Sequence, residues 1–220
     1  MAGPFRESFG LERHLPENQQ LALFSKDNCI TYNPLLAEVV GASMLPGHAV
    51  APIRQIVKRA HFYMATVTDI DFDRRQLRYR GEGAGAINYD QLVLACGMTV
   101  NVKALPGMAE HALPLRTLGD ALFLRNRILV RMEQAQMQDA SERRCWLTTF
   151  IVVGGGLSGV EVAGELSDFV LASRRYYPNI DMRDCQVTLL HDSDRILPEL
   201  DASLADFAMA KMQKRGIKFR

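Results

Sequence analysis

The 220-residue sequence is poor in the features that commit a chain to thiol chemistry, metal binding or membrane passage. Only four cysteines occur, Cys29, Cys96, Cys145 and Cys185, and none forms a C-x-x-C pair or a metal-ligand spacing. Their pattern argues for a reducing compartment, against a redox-active disulfide and for four small, semi-buried side chains. No run reaches the roughly 18 apolar residues of a membrane span, and no signal peptide opens the chain. Charge of one sign is also missing. With 26 basic and 25 acidic residues the net charge is +1, so no global field points to nucleic acid or an anionic surface. The pairs Arg143–Arg144 and Arg174–Arg175 are expected on solvated surface. His14, His48, His61 and His111 have no partner pattern and are expected in surface or loop positions. There is no internal repeat and no low-complexity linker.

What is present is apolar content of 48%, enough for one large domain or two small ones. "QLALF" (20–24) reads as a short strand, followed by the turn chemistry of "SKDNCITYNP". Residues 33–57 carry Pro34, Pro46 and Pro52 among short apolar pieces and predict loops with brief helices. From His61 to Gly81, alternation around Ala65, Val67 and Ile70, the turn-like "DFDRR", then Leu77 and Tyr79 predict a β-hairpin. "QLVLACG" (91–97) reads as a continuous apolar strand, and "LPGMAEHALPLRT" (105–117) as a proline-punctuated connector. Leu118, Ala121, Leu122, Ile128, Leu129, Met132 and Ala135 recur at helical spacing and predict a long amphipathic helix. From residue 146 the order becomes β-α-β-α-β. "WLTTFIVVGGG" ends a strand expected to be buried on both faces. A helix follows over "SGVEVAGELSDF", then the strand "CQVTLLHD", a helix closed by Gly216, and the start of another strand. That alternation calls for a parallel sheet in an α/β fold.

Between the strand "FIVV" and its helix, Gly154, Gly156 and Gly159 form G-x-G-x-x-G, with Gly155, Leu157 and Ser158 at the intervening positions. The first glycine makes a tight turn, the second admits a pyrophosphate to the backbone, and the third lets helix pack on strand. The helix N-terminus then faces the phosphates with its positive end. An acidic residue ending the next strand would take the ribose 2′-hydroxyl. Here "QVTLL" ends in His191, with Asp192 next. The histidine reads either as a neutral ribose partner or, with Arg195, as a partial counter-charge for a 2′-phosphate, so the choice between NADH and NADPH stays open.

The stretches "NYDQLVLACGMTVNVKALPGMAEHALPLRTLGDALFLRNRIL", "IVVGGGLSGVEVAGELSDF" and "VTLLHDSDRILPELD" closely resemble the type II NADH dehydrogenases, over roughly residues 20–220. "NPLLAEVVGASMLP" is similar to a segment that family carries near its flavin. The resemblance implies a Rossmann-like fold with two dinucleotide sites, in which a parallel-sheet NAD(P)-binding domain is inserted into an FAD-binding domain. It implies a partial FAD domain over 1–116, a connecting helix over 117–145 and the first part of the NAD(P) domain over 146–220. It further implies FAD and NAD(P)H as cofactors, with Pro34, Val67, Ala95 and Gly97 on the flavin side. Hydride would pass from nicotinamide to flavin, and electrons onward to a quinone. Glu161 matches a family glutamate near the nicotinamide–flavin contact and is the expected catalytic side chain, placed in the first turn of its helix where the dipole favours a carboxylate. Glu165, one turn on, is expected to be structural. The resemblance implies a cytoplasmic protein, peripheral at the cytoplasmic membrane through segments outside these residues, and a homodimer; it implies no metal and no nucleic acid.

Two departures are plain. The family opens with its own glycine loop for FAD, whereas Gly3 and Gly10 in "MAGPFRESFGLERHL" do not make that motif. At the other end, "GIKFR" stops within what would be the third strand of the NAD(P) domain. An incomplete parallel sheet would leave an unpaired edge and bare helix faces, so poor stability is expected of the chain alone. The alternative to an active enzyme is a non-catalytic NAD(P)-binding remnant that has lost its flavin site.

Overall fold

The computed structural model describes residues 10–97, 99, 101, 106–181 and 183–220. Gly3 and the start of the "LPGM" connector lie outside them. The chain divides into two units, one of residues 1–31 and 50–109, the other of residues 32–49 and 110–220. In chain order the elements are β1 (Ala22–Ser25), β2 (Cys29–Thr31), α1 (Leu36–Val40), β3 (Val50–Pro52), α2 (Ile53–Ile56) and β4 (His61–Met64). Then come β5 (Thr66–Asp71), β6 (Gln76–Arg80), β7 (Ala84–Asn88), α3 (Met108–His111), α4 (Leu118–Gln136) and α5 (Ser141–Leu147). The last are β8 (Thr149–Val153), α6 (Leu157–Ser173), β9 (Gln186–Leu190), α7 (Ala202–Lys214) and β10 (Lys218–Phe219).

In the first unit β1 pairs in parallel with β4, β2 pairs antiparallel with β3, and β5-β6-β7 form an antiparallel meander. The predicted hairpin is β5-β6. Its turn closes with the Arg74 N–H donating to Asp71 Oδ1 at 2.8 Å, and Arg75 takes a left-handed φ of 51°. Strand β7 comes from "AGAIN", which small residues hide from sequence reading. Gly85 is fixed there by its cross-strand partner: a Cβ would lie 2.6 Å from the Tyr79 ring. Ile53, Val57 and Phe62 form the core, with Leu23 and Ile30 against it. Phe24, Tyr63 and Tyr79 cluster their rings at centroid distances of 4.7–5.6 Å. One buried charge is fully occupied. Glu12 accepts the backbone N–H groups of Lys58, Arg59 and Ala60, and these bonds hold its carboxyl below the ordinary range against the opposing effect of burial.

The strand predicted over "QLVLACG" does not form: residues 92–97 are irregular, and Val93 and Leu94 are 59% and 58% exposed. A continuous apolar run becomes a strand only when ladders flank it, and no described strand pairs with this one.

The second unit carries a parallel three-stranded sheet in the order β10-β9-β8, with α6 and α7 as crossovers, as the β-α-β-α-β pattern requires. The core runs through Val187 and Leu189 of β9, Ala163, Leu166 and Val170 of α6, and Ile128, Met132 and Ala135 of α4. Burial of β8 on both faces is not observed. Phe150 is buried, but Ile151 and Val153 are 60% and 46% exposed, because α6 covers only the face that carries Phe150 and Val152. Helix α4 carries the predicted periodic residues Leu118–Ala135 but ends at Gln136, so the connecting helix expected over 117–145 is divided into α4 and α5. Thr117 caps α4: the Asp120 N–H donates to Thr117 Oγ1 at 3.1 Å, and the Thr117 N–H returns a bond to the Asp120 carboxylate at 2.8 Å. Arg131, on the same helix, donates to the Trp146 and Leu147 carbonyls at the end of α5. The Trp146 indole lies between the guanidinium groups of Arg131 and Arg143, at 4.5 and 4.1 Å. Arg144, expected on open surface, is instead half-buried. It pairs with Asp184 at 3.4 Å and donates to the Gln138 carbonyl, since the chain reversal before β8 turns it inward. His14, His48, His61 and His111 are all exposed.

Replacing Thr117 by Ala removes one half of a reciprocal cap. It should lower stability by about 1 kcal/mol, read as a shift in denaturant midpoint at unchanged slope.

Candidate nucleotide-binding site

The glycines after β8 have separate roles, three of them fixed by conformation or close contact. Gly154 turns the chain at φ +108°, a left-handed conformation that side chains resist, while its N–H extends the ladder to the Leu190 carbonyl at 2.8 Å. Gly155 is buried and pinned on both sides: its carbonyl accepts the Leu197 N–H at 2.7 Å, and its N–H donates to His191 Nδ1 at 3.1 Å. Gly156 is the N-cap of α6, and its carbonyl accepts the Val160 N–H. At Gly159 a Cβ would collide with the Gly154 carbonyl oxygen, so the first helical turn rests directly on the loop. The N-cap offers no side chain, and the first-turn N–H groups of Leu157, Ser158 and Gly159 are left as donors at the positive end of a 17-residue helix. Leu157 and Ser158 are exposed. This cradle fits a diphosphate.

His191 and Asp192 follow β9 on the same side of the sheet as the loop. The His191 ring is 14% exposed and Asp192 91% exposed, with Asp192 Oδ1 3.4 Å from His191 Nδ1. His191 Nε2 is buried without a hydrogen-bond partner among the described residues. Of the two residues, the aspartate is therefore the one that presents its polar group outward. Arg195 reaches back to the carbonyls of Pro198 and Leu200.

Glu161 lies in the second turn of α6, not the first as expected, because the helix is capped at Gly156 and not at Gly159. The dipole argument for it weakens accordingly. Its surroundings act the other way. Partial desolvation, and then the charge of Glu38, raise its carboxyl above the ordinary range even though the residue is exposed. Glu38 is a residue that sequence reading passed over. It sits on α1, with Oε2 buried and lacking a partner among the described residues. The segment after α1 fastens to α6: Ser43 Oγ donates to Glu165 Oε2 at 2.7 Å, and the Ser43 and Met44 N–H groups cap the Glu38 carbonyl. A Cβ at Gly41 would lie 2.5 Å from the Glu165 carboxylate. Only the "GAS" triplet hinted at so close an approach.

Pro34 is exposed in a 3-10 turn of the second unit. Val67, Ala95 and Gly97 belong to the first unit. Val67 is 37% exposed beside a bulge in β5, Ala95 is half-buried, and Gly97 takes φ +67°. Small size at Ala95 and Gly97 leaves room for a close approach. No glycine cradle comparable to 154–159 occurs among the described residues of this unit.

Gly159→Ala should cost about 2–3 kcal/mol, since backbone on both sides must give way. Gly164→Ala, where a Cβ meets open space, should change stability by less than about 1 kcal/mol; denaturant melts compare the two. Glu38→Gln should lower the Glu161 pKa in a carboxyl NMR titration. Because a raised carboxyl pKa favours the folded state only while protonated, Glu161→Gln should be more stable than the native chain at neutral pH. That gain should fade as pH falls through the carboxylate range.

The sequence pattern of the pyridine nucleotide-disulphide oxidoreductases matches residues 9–220. The external alternative NAD(P)H-ubiquinone oxidoreductase B4 of Arabidopsis thaliana mitochondria is 30% identical over 215 residues, covering 92% of this chain and 37% of that protein. The type II NADH:quinone oxidoreductase of Mycobacterium tuberculosis is 31% identical over 194 residues, covering 86% of this chain and 42% of the relative. Among solved structures, NDH2 from Plasmodium falciparum in complex with NADH superimposes with a TM-score of 0.87 at 21% identity, over 92% of this chain and 43% of that one. The chain thus spans about two-fifths of the length of these relatives. A glycine loop built on a parallel sheet, an extended sequence match and a shared fold converge: the chain belongs to the pyridine nucleotide-disulphide oxidoreductase family, and within it resembles the type II NADH:quinone oxidoreductases.

Proposed function

We propose that this chain is the nucleotide-binding part of an FAD-dependent oxidoreductase that passes electrons from NAD(P)H to a quinone. The observation that carries the reading is the 154–159 loop, in which Gly154, Gly155 and Gly159 are required by backbone conformation or close contact and whose helix N-terminus is uncapped by any side chain. The backbone donors of Leu157, Ser158 and Gly159 hold the diphosphate of NAD(P)H. Asp192 accepts from the adenosine ribose. Glu161, one turn further along α6, orients the nicotinamide end and holds a proton more readily than an ordinary carboxylate. Bound nicotinamide supplies the hydride; the protein supplies position and electrostatics.

Residues 1–116 correspond in this reading to part of an FAD domain, 117–145 to a connecting helical segment and 146–220 to the start of the NAD(P) domain, with Pro34, Val67, Ala95 and Gly97 on the flavin side. No helix among the described residues is long and apolar enough to cross a membrane. Attachment at the cytoplasmic membrane surface and pairing into a homodimer would follow the family.

A second reading is a nucleotide-binding remnant without catalysis of its own. The visible spectrum of the purified chain separates the two. Flavin absorbance that bleaches with NADH and recovers with a soluble quinone is the expected result for the enzyme. Colourless protein whose melting temperature still rises with NADH would assign the remnant, and no response to NADH would remove both.

A further inference from the structure

Two neighbours of His191 make opposite demands on one atom. The Gly155 N–H donates to Nδ1 at 3.1 Å, which requires a lone pair there. Asp192 Oδ1 lies 3.4 Å from the same nitrogen, where it is attracted only to a proton. A neutral imidazole has one donor nitrogen and one acceptor. Acceptance at Nδ1 therefore puts the proton on Nε2, which is buried without a hydrogen-bond partner among the described residues. The ring also lies against the loop: its Cγ is 2.6 Å from where a Gly155 Cβ would stand, so only glycine allows the contact. Hence His191 is not placed as a direct ribose ligand, since Nε2 is buried and the Nδ1 lone pair is taken by the Gly155 N–H.

We propose that His191 is a positioning residue for the glycine loop, a latch whose protonation releases the Gly155 N–H to the dinucleotide. This rests on the nucleotide reading above. In the neutral ring, Nδ1 occupies the Gly155 donor and holds the loop against the strand tip. When a proton from solvent binds Nδ1, that nitrogen turns from acceptor to donor and pairs with Asp192. The Gly155 N–H is then free for an oxygen of the ligand, and an imidazolium charge stands beside the diphosphate. The charged groups around the ring are few. Asp192 follows it directly, with Ser193 Oγ donating to its Oδ1 at 3.2 Å. Glu199 lies across the loop, its Oε1 3.4 Å from the Cβ position of Gly156. The Arg195 guanidinium is turned to the Pro198 and Leu200 carbonyls. From beside β10 comes the Arg220 carbonyl, which accepts the His191 N–H at 2.9 Å.

The test is calorimetric binding of ADP-ribose to the 220-residue chain between pH 5.5 and 8. This probe has no nicotinamide, needs no flavin, and carries a diphosphate that does not titrate in the window. Affinity should rise roughly fivefold to tenfold toward the acid end. In His191→Asn the amide oxygen keeps accepting from Gly155 but does not titrate, so binding should stay at the weaker level throughout. Without ligand, the Gly155 amide NMR signal should shift across the same pH range in the native chain and stand still in the variant. Flat ADP-ribose affinity in the native chain, or a variant that keeps the native pH dependence, overturns the latch and leaves the nucleotide site standing. Absence of ADP-ribose binding at every pH overturns both.

Discussion

The second unit depends on one close approach, that of α6 to the end of β8. Glycine at 159 lets the helix start against the Gly154 carbonyl, which sets the distance between the helix N-terminus and the strand tips. Everything able to hold an anion follows from that distance. The first-turn N–H groups converge because the helix begins there, and the loop is short because the helix begins so close. His191 and Leu197 then grip Gly155 from two directions, so the loop is held by its neighbours as much as by its own turns.

The opposite side of α6 shows the same economy. A short segment from the 32–49 stretch reaches the helix through Gly41 and Ser43, and in doing so brings Glu38 toward Glu161. A carboxylate near another, both partly withdrawn from water, is an electrostatically unfavourable arrangement that packing must sustain. Here the packing is visible: Leu36, Val39 and Val40 of α1 are buried in the same core as Ala163 and Leu166 of α6. The core thus maintains a charge environment in the first half of α6.

Much of this was legible in the chain. Periodicity predicted α4, the β5-β6 hairpin and the alternation after residue 146, because each of those elements buries one face against a near neighbour in sequence. The glycine spacing located the loop, since steric demands on glycine are local. The failures are of two other kinds. Apolar residues predict a strand over "QLVLACG" and burial of both faces of β8, but pairing and burial depend on neighbouring elements that the run itself cannot specify. Glu38 and Ser43 were missed because their meaning lies in contacts more than a hundred residues away. The latch at His191 was half visible: its place at a strand tip was read correctly, but which way the ring faces is decided by Gly155, and no spacing rule carries that.

The indole held between Arg131 and Arg143 has a practical consequence. Trp146 is the only tryptophan in the chain, it belongs to the second unit, and its two cationic neighbours come from different helices. Its emission therefore depends on α4 and α5 staying in contact. The second unit holds its own optical reporter.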